Sequence, residues 1–426
     1  MKVLVVGGGG REHALAWRLA QDPAVTHVLA APGNAGIAAI AECFPDTAAD
    51  DVNAVVNVVD QQDVDLTIVG PEAPLVAGLA DALRSRGRAV FGPSATAARI
   101  EGSKAFAKDI MTRRGVPTAR AGAFEDVEKS VAFLDELGGR GVIKADGLAA
   151  GKGVTVATER GAAVAAIEAC LVGGAFGTAG STIVVEELLE GPEVSVFAIT
   201  DGTGACVLLD VAADHKRIGD DDTGPNTGGM GAYSPVPSIS QALATEILDT
   251  CITPVVEELA PYRGVLFAGM MLTADGPKVL EYNCRFGDPE TQVLLPRTSY
   301  QLGTLLHACA TGTLANVAEP VALDEGAAVT VVLASAGYPG TYPTGRFING
   351  LDEAAAIEGV TVFHAGTARN GDGEMVTAGG RVLDVTARGA TLAEARERAY
   401  RAVAEINFEG MQFRTDIAAR AAEEAR

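Results

Sequence analysis

The sequence predicts an α/β protein that opens on a parallel sheet, carries a compact α+β unit inserted before its middle and closes in a small α+β unit. Three observations predict it. Strand-like and helical runs alternate from the start ("KVLVV", "EHALAWRLAQD", "VTHVLAA", "DLTIVG", "PLVAGLADALRSRG", "AVFGPS"), the βαβ pattern of a parallel sheet over residues 1–102. A self-contained run follows, with the strand "GVIKA", the turn "DGLAAGKG", the strand "VTVAT", the helix "RGAAVAAIEACLV" and the strand "STIVVEELL", giving an inserted unit over 119–189. After residue 325 a last unit, 326–426, runs from "AAVTVVLAS" to the helix "TLAEARERAYRAVAEI", whose Thr391 and Glu394 form a capping-box pattern.

The remaining stretches, 103–118 and 190–325, make a central unit. "SKAFAKDIMTRRG" reads as a helix capped by Ser103 and ended by Gly115, with Val116 and Pro117 marking a crossing between units. "EVSVFAIT" resumes a larger sheet, and "GVLFAGMMLT" pairs with "KVLEYN" around the turn "ADGP". Between them, "DHKRIGDDDTGPNTGGMGAYSPVP" is too rich in Gly, Asp and Pro for regular structure, and an ordered loop of that length is usually functional.

Composition bounds the function. At 426 residues and 48% hydrophobic the chain builds a large core, and 33 basic against 55 acidic residues give a net charge of −22. That charge opposes binding to nucleic acid or an anionic membrane, so an anionic ligand needs locally placed donors. Six scattered cysteines without a C-x-x-C pair suggest neither a zinc knuckle nor a disulfide framework, and point to a reducing cytoplasm. "MKVLVVGGGG" is too short for a signal peptide, and no stretch approaches the roughly 18 to 20 apolar residues of a membrane span.

Four stretches carry chemistry. In "EYNCRFGDPETQ" alternate strand residues share a face, so Glu281 and Asn283 point the same way and offer two hard oxygens to one cation, for which magnesium fits best. Arg285 offers a planar fork for phosphate or carboxylate just beyond, and the bland alternative is a solvated strand end. Cys284 reads as packing, because neighbouring carboxylates disfavour its thiolate. Lys144 sits mid-strand, where burial without a partner is costly and a phosphate removes the cost. The turn behind it, with Gly147, Gly151, Lys152 and Gly153, closes over phosphates or is an exposed hairpin tip; it lacks Walker A spacing. "VVEELLEGPEVSV" places Glu186, Glu187, Leu189 and Glu193 after a strand, as a nucleoside site or as a domain linker. "VLVVGGGGREHALAW" is a strand, a glycine loop and a helix start, suited to one phosphate or simply to a tight turn. A dinucleotide fingerprint fails there, since Glu12 or His13 stands where its third glycine is required.

Together these stretches resemble the ATP-grasp superfamily, and within it the branch that forms glycinamide ribonucleotide. The resemblance rests on "GGGGREHALAW", "PGNAG", "VGPEAPLVAGLAD", "GSKAFAKD", "IKADGLAAGKGV", "DHKRIGDDDTGPNTGGMGAYSP", "RFGDPETQ" and "SAGYPGTYPTG", in family order across most of the chain. It implies an N-terminal parallel-sheet domain, a central ATP-grasp domain with an inserted lid, and a small C-terminal α+β domain. It also implies ligation of glycine to 5-phosphoribosylamine with conversion of ATP to ADP and phosphate, in a cytoplasmic monomer or weak homo-oligomer.

By motif, the resemblance puts Lys104 and Lys144 on the ATP phosphates under the Gly147, Gly151, Lys152 and Gly153 loop, with Glu186, Glu187, Leu189 and Glu193 around the nucleoside. Glu281 and Asn283 hold magnesium, with manganese as the alternative ion, and Arg285, Lys144, Asp214 and Lys216 are the catalytic set. The glycine and amine site takes His215, Arg217, Asn226, Thr227, Gly228, Gly229, Arg285 and Asp288; the phosphoribosyl group takes Gly8, Gly9, Gly10, Arg11, Asn34 and Glu72. The strand before Glu281 reads "FAGMMLT" and lacks the metal carboxylate common in the superfamily. Two rivals remain: another ATP-grasp ligase or carboxylase related to biotin carboxylase, and a nucleotide-binding regulator without catalysis.

Overall fold

The computed structural model describes residues 1–148, 153–317 and 323–424. Its first sheet holds β1 (Lys2–Gly7), β2 (His27–Pro32), β3 (Glu42–Cys43), β4 (Leu66–Val69) and β5 (Ala89–Phe91), all parallel in the order β3-β2-β1-β4-β5. The side-chain alternation of β1 explains why helices cover both faces. Val3 and Val5 join a core with Leu15, Leu19, Leu302 and Leu305, while Leu4 and Val6 join another with Val55, Val59, Leu79 and Leu83. Strands buried on both sides read as unbroken apolar runs, which is how "KVLVV" reads.

The inserted unit is a four-stranded antiparallel sheet of β6 (Ala121–Phe124), β7 (Gly141–Ala145), β8 (Val154–Ala157) and β9 (Ile183–Glu186), ordered β6-β9-β7-β8. Helices Val127–Glu136 and Arg160–Leu171 close a core of its own around Leu134, Ile143, Ile167 and Val185. The preceding helix, Lys104–Arg114, starts where Ser103 Oγ accepts from the Phe106 amide (3.1 Å) and stops at Gly115, whose φ of 65° suits glycine.

The largest sheet has eight strands. It combines β10 (Glu193–Asp201), β11 (Cys206–Asp214), β14 (Gly231–Ser234), β15 (Arg263–Thr273), β16 (Gly276–Asn283), β17 (Ala327–Ala334), β18 (Val360–His364) and β21 (Arg381–Gly389) in the order β16-β15-β10-β11-β14-β17-β21-β18. β14 pairs with both β11 and β17, so the strands after residue 326 extend the sheet that carries Glu281. Two hairpins stand apart, β12 (Arg217–Gly219) with β13 (Thr223–Asn226), and β19 (Thr367–Arg369) with β20 (Met375–Thr377).

The stretch from Asp214 to Pro237, expected to be irregular, thus contains the β12–β13 hairpin and β14. Glycines and Pro225 obscured strands that tertiary pairing stabilises. The capping box at Thr391 also differs in detail: Thr391 accepts from the Glu394 amide (3.2 Å), but the Glu394 carboxylate reaches the Ala390 amide (2.7 Å). Among the described residues no helix is long and apolar enough to cross a membrane.

Candidate active site

The site forms where the three large sheets meet. On β16, Glu281 and Asn283 share one face, and Asn283 Oδ1 accepts from Arg285 Nη2 at 3.1 Å. Burial raises the pKa of Glu281, but Lys216, Lys144, Lys104 and Arg285 outweigh it and hold the carboxyl below its ordinary value. An ionised carboxylate beside an amide oxygen is a donor pair that suits a hard cation. Among the described residues no cluster of three or more His, Cys, Asp or Glu side chains gathers for a metal, so such an ion would complete its shell from water and phosphate.

The inserted unit docks here through Lys144. Its Nζ leaves β7 to donate to the Leu280 carbonyl of β16 (3.0 Å) and lies 3.1 Å from Glu186 Oε2. Lys104, first residue of its helix, donates to the Gly147 carbonyl (3.2 Å), while burial pulls its pKa down. Gly147 packs against Ala179, where an added Cβ would sit 2.6 Å away, and Gly153 precedes β8; Gly151 and Lys152 lie outside the described residues. Glu187 accepts from the Arg120 amide (3.0 Å), and Leu189 is half-buried.

Sequence reasoning missed Lys108. It lies one helical turn beyond Lys104, a four-residue spacing that puts both ammonium groups on one face. Its Nζ is 3.3 Å from Glu186 Oε2, the oxygen that Lys144 approaches, and burial brings its pKa down to about 8. The other oxygen of Glu186 is buried and has no hydrogen-bond partner among the described residues.

Beyond β16, Arg285 faces four acceptors: Glu101 Oε1 (3.1 Å), Glu72 Oε2 (3.4 Å), Asn283 and the Phe286 carbonyl (3.2 Å). Glu101 is a second residue that sequence reasoning missed; its carboxylate also accepts from the Cys284 amide at 2.8 Å. Asp214, at the end of β11, has its pKa pushed up to about 7 by burial, with Lys216 opposing. Lys216 bonds Glu193 at 2.7 Å, and Glu193, Asp214 and Glu281 keep it charged against burial.

The substrate-loop residues divide into two groups. Thr227 Oγ1 donates to the Lys216 carbonyl (2.9 Å) and accepts from the Gly229 amide (3.0 Å), and Gly229, at φ 110°, passes so near Pro289 that a Cβ would sit 2.4 Å from its ring. Asp288 follows on that second loop, and burial, which raises its pKa, is outweighed by Arg381 and Arg11. By contrast, Arg217 turns to the Gly224 carbonyl within its hairpin, where Asn226 pairs with it, and His215 Nε2 accepts from the Ala418 amide at 3.2 Å.

At the other end of the cleft, the loop Gly8, Gly9, Gly10 and Arg11 leads into helix Gly10–Leu19. Gly8 needs to be glycine, because a Cβ would meet the Gly33 carbonyl at 2.4 Å. Asn34 ties this loop across the chain, donating to the carbonyls of Gly8 (3.0 Å) and His364 (2.6 Å). Arg11 bonds Glu12 (2.6 Å) and the Phe286 carbonyl (3.1 Å). His13 Nδ1 accepts from the His364 amide (2.8 Å), a cross-chain pairing that local sequence does not reveal.

Comparison with known proteins accounts for nearly the whole chain. The phosphoribosylglycinamide synthetase models match in order, the N domain at 1–101, the ATP-grasp (A) domain at 102–291 and the C domain at 328–420. The chain belongs to the phosphoribosylglycinamide synthetase family. It is 53% identical to the phosphoribosylamine–glycine ligase of Streptomyces coelicolor over 428 residues, covering 99% of this chain and 100% of that one. The Caulobacter vibrioides enzyme of the same name is 52% identical, with 99% and 98% covered. Among solved structures, Thermotoga maritima phosphoribosylamine–glycine ligase superposes with a TM-score of 0.85 at 34% identity, over 98% of this chain and 100% of that one. The biotin carboxylase domain of Hydrogenobacter thermophilus 2-oxoglutarate carboxylase shares the fold, with a TM-score of 0.76 at 17% identity over 97% and 91%.

Proposed function

We infer that this chain joins glycine to 5-phosphoribosylamine at the expense of ATP, forming glycinamide ribonucleotide, ADP and phosphate in the second step of purine biosynthesis. The observation that carries the site assignment is the gathering of cationic side chains beside the Glu281–Asn283 strand end, where Lys144 bonds the Leu280 carbonyl (3.0 Å), Arg285 bonds Asn283 (3.1 Å) and Lys104, Lys144, Lys216 and Arg285 together hold the half-buried Glu281 carboxyl below its ordinary pKa. A glycine carboxylate is a poor acyl donor, so its oxygen first attacks the γ-phosphorus of ATP; the bond from that phosphorus to the bridging oxygen breaks, ADP departs and glycyl phosphate is formed. Phosphoryl transfer needs positioning and charge neutralisation more than a protein nucleophile.

Lys104 and Lys144 hold the ATP phosphates, and Glu186, Glu187, Leu189 and Glu193 surround the nucleoside. Glu281 and Asn283 hold a magnesium ion, or manganese, which when bound neutralises charge on the phosphates. Arg285 steadies the transferred phosphoryl group. The phosphoribosyl end rests on Gly8 to Arg11, Asn34 and Glu72, which leaves the amine facing Asp214, Lys216 and the 226–229 loop. The amine nitrogen then attacks the acyl carbon, phosphate departs, and Asp214 takes the proton released from nitrogen; its raised pKa supports that role.

An acyl phosphate must be kept from water, and the unit 119–189 serves as the lid. Its separate core supports that division, alongside an N-terminal domain at 1–102, a central domain at 103–118 and 190–325, and a C-terminal domain at 326–426. The enzyme works in the cytoplasm as a monomer or weak homo-oligomer.

The test is ADP release with ATP and magnesium, adding glycine and fresh phosphoribosylamine separately and together. Release requiring both, with glycinamide ribonucleotide identified by mass, is expected. ADP without that product would reassign the acceptor, and bicarbonate dependence would favour a carboxylase.

A further inference from the structure

The loops given above to glycine and to the aminosugar are joined by a side chain from β21 that no motif singled out. Arg381, the first residue of β21, reaches back to two of them. Its Nη1 donates to the Gly228 carbonyl (2.5 Å) and to the Asp288 carbonyl (2.8 Å), and its Nη2 bonds Asp288 Oδ2 at 2.6 Å. The guanidinium lies so close over Gly228 that a Cβ there would stand 3.1 Å from Cζ. Three donors of one rigid fork are thus spent on two loops.

The third loop is held from the same strand. Asp384 Oδ2 accepts from Gln292 Nε2 (2.9 Å), which also donates to Asp288 Oδ1 (2.7 Å). Gly10 of the phosphoribosyl loop sits directly on that carboxylate, where a Cβ would come within 1.8 Å of Oδ2. By contrast, among the described residues Arg381 bonds none of the groups assigned to ATP: Lys104 bonds Gly147, Lys144 bonds Leu280 and Glu186, and Glu193 bonds Lys216.

We propose that Arg381 is a positioning residue for the acceptor half of the site: its guanidinium pins the 226–229 loop to the 285–289 loop and so fixes the pocket for glycine and phosphoribosylamine. The inference rests on the ligase reading. It differs from a general structural role in what it spares, because loosening these loops weakens the two acceptors and leaves ATP binding unchanged.

The test uses the full chain and compares native protein with Arg381→Gln and Arg381→Lys, varying each of the three substrates in turn. Loss of charge-assisted bonds of this kind should raise KM for glycine and for phosphoribosylamine by roughly tenfold or more, with KM for ATP unchanged. Arg381→Lys should recover little of that loss, because one ammonium on a flexible stem does not reproduce a three-donor fork. Should Arg381→Gln fail to fold, Arg381→Lys, which keeps the charge and removes the fork, carries the same expectation. Unchanged KM values for both acceptors, an equal rise for all three substrates, or full rescue by lysine would overturn the proposal while leaving the ligase intact. A native chain that makes no glycinamide ribonucleotide would overturn the ligase reading and this inference with it.

Discussion

Replacing Lys108 with methionine should stabilise the ligand-free protein at neutral pH, and the size of the gain follows from where the ammonium sits. Its Nζ lies 3.3 Å from Glu186 Oε2 and bonds Thr118 Oγ1 at 2.7 Å, while Lys144 approaches the same Glu186 oxygen at 3.1 Å. One carboxylate oxygen therefore serves two buried cations. Burial takes the pKa of Lys108 from 10.5 to about 8, with Glu186 opposing and Lys144 assisting. The folded chain holds this proton less tightly than the unfolded chain, so the penalty is complete below pH 8 and fades as pH rises from about 8 to 10.5. At ~1.4 kcal/mol for each pH unit between the two values, the penalty is about 3 kcal/mol. Losing the bond to Thr118 takes back ~1 kcal/mol, which leaves a net gain of ~2 kcal/mol at neutral pH and almost none near pH 10. Thermal unfolding of both proteins at the two pH values measures it. A variant less stable than native at neutral pH, or an advantage equal at both, would refute the reasoning.

Other consequences are sharper in activity than in stability. Lys144→Ala and Glu281→Gln should each fold normally and lose on the order of a hundredfold or more in turnover, as removal of a transition-state charge partner does; near-native turnover in either would strike that residue from the catalytic set. Since burial holds the pKa of Asp214 up at about 7, turnover should rise with pH through that region as the carboxylate ionises. Asp214→Asn should lower turnover and flatten that limb, and an unaltered limb would assign it to another group. Chelation of divalent cations should abolish ADP release, with magnesium or manganese restoring it; release that survives chelation would remove Glu281 and Asn283 from metal binding.

What the sequence revealed and what it hid divide along one physical line. The Ser103 cap, the αL Gly115, the both-faces-buried run of β1 and the pairing of β15 with β16 are local, because cap chemistry and side-chain period act within a few residues. The site motifs were legible as residues, and Glu281 and Asn283 do share a face. Their partners were not. Glu101 reaches Arg285, His364 reaches His13 and Arg381 reaches Asp288 only because segments distant in sequence are adjacent in space, and no periodicity encodes such a meeting. Lys108 is the exception that spacing could have supplied, since it stands four residues from Lys104 on one helix.

The charge of the chain explains why the site is built inward. A protein carrying −22 repels a nucleotide and a phosphorylated sugar at long range, but salt screens that field over roughly 8 Å under physiological conditions. Within that distance only the local charges matter. Lys104, Lys108, Lys144, Lys216 and Arg285 lie there, each balanced by a carboxylate or carbonyl of the fold itself. The balance is incomplete at Glu186, where two ammonium groups share one oxygen and the other oxygen has no partner among the described residues. An anionic ligand would complete it, and the cost measured by Lys108→Met without nucleotide would then be part of the nucleotide affinity that the fold stores in advance. The same variant should therefore bind ATP more weakly than the native chain while being more stable without it, and a variant that gained stability with no loss of ATP affinity would separate Lys108 from the nucleotide site.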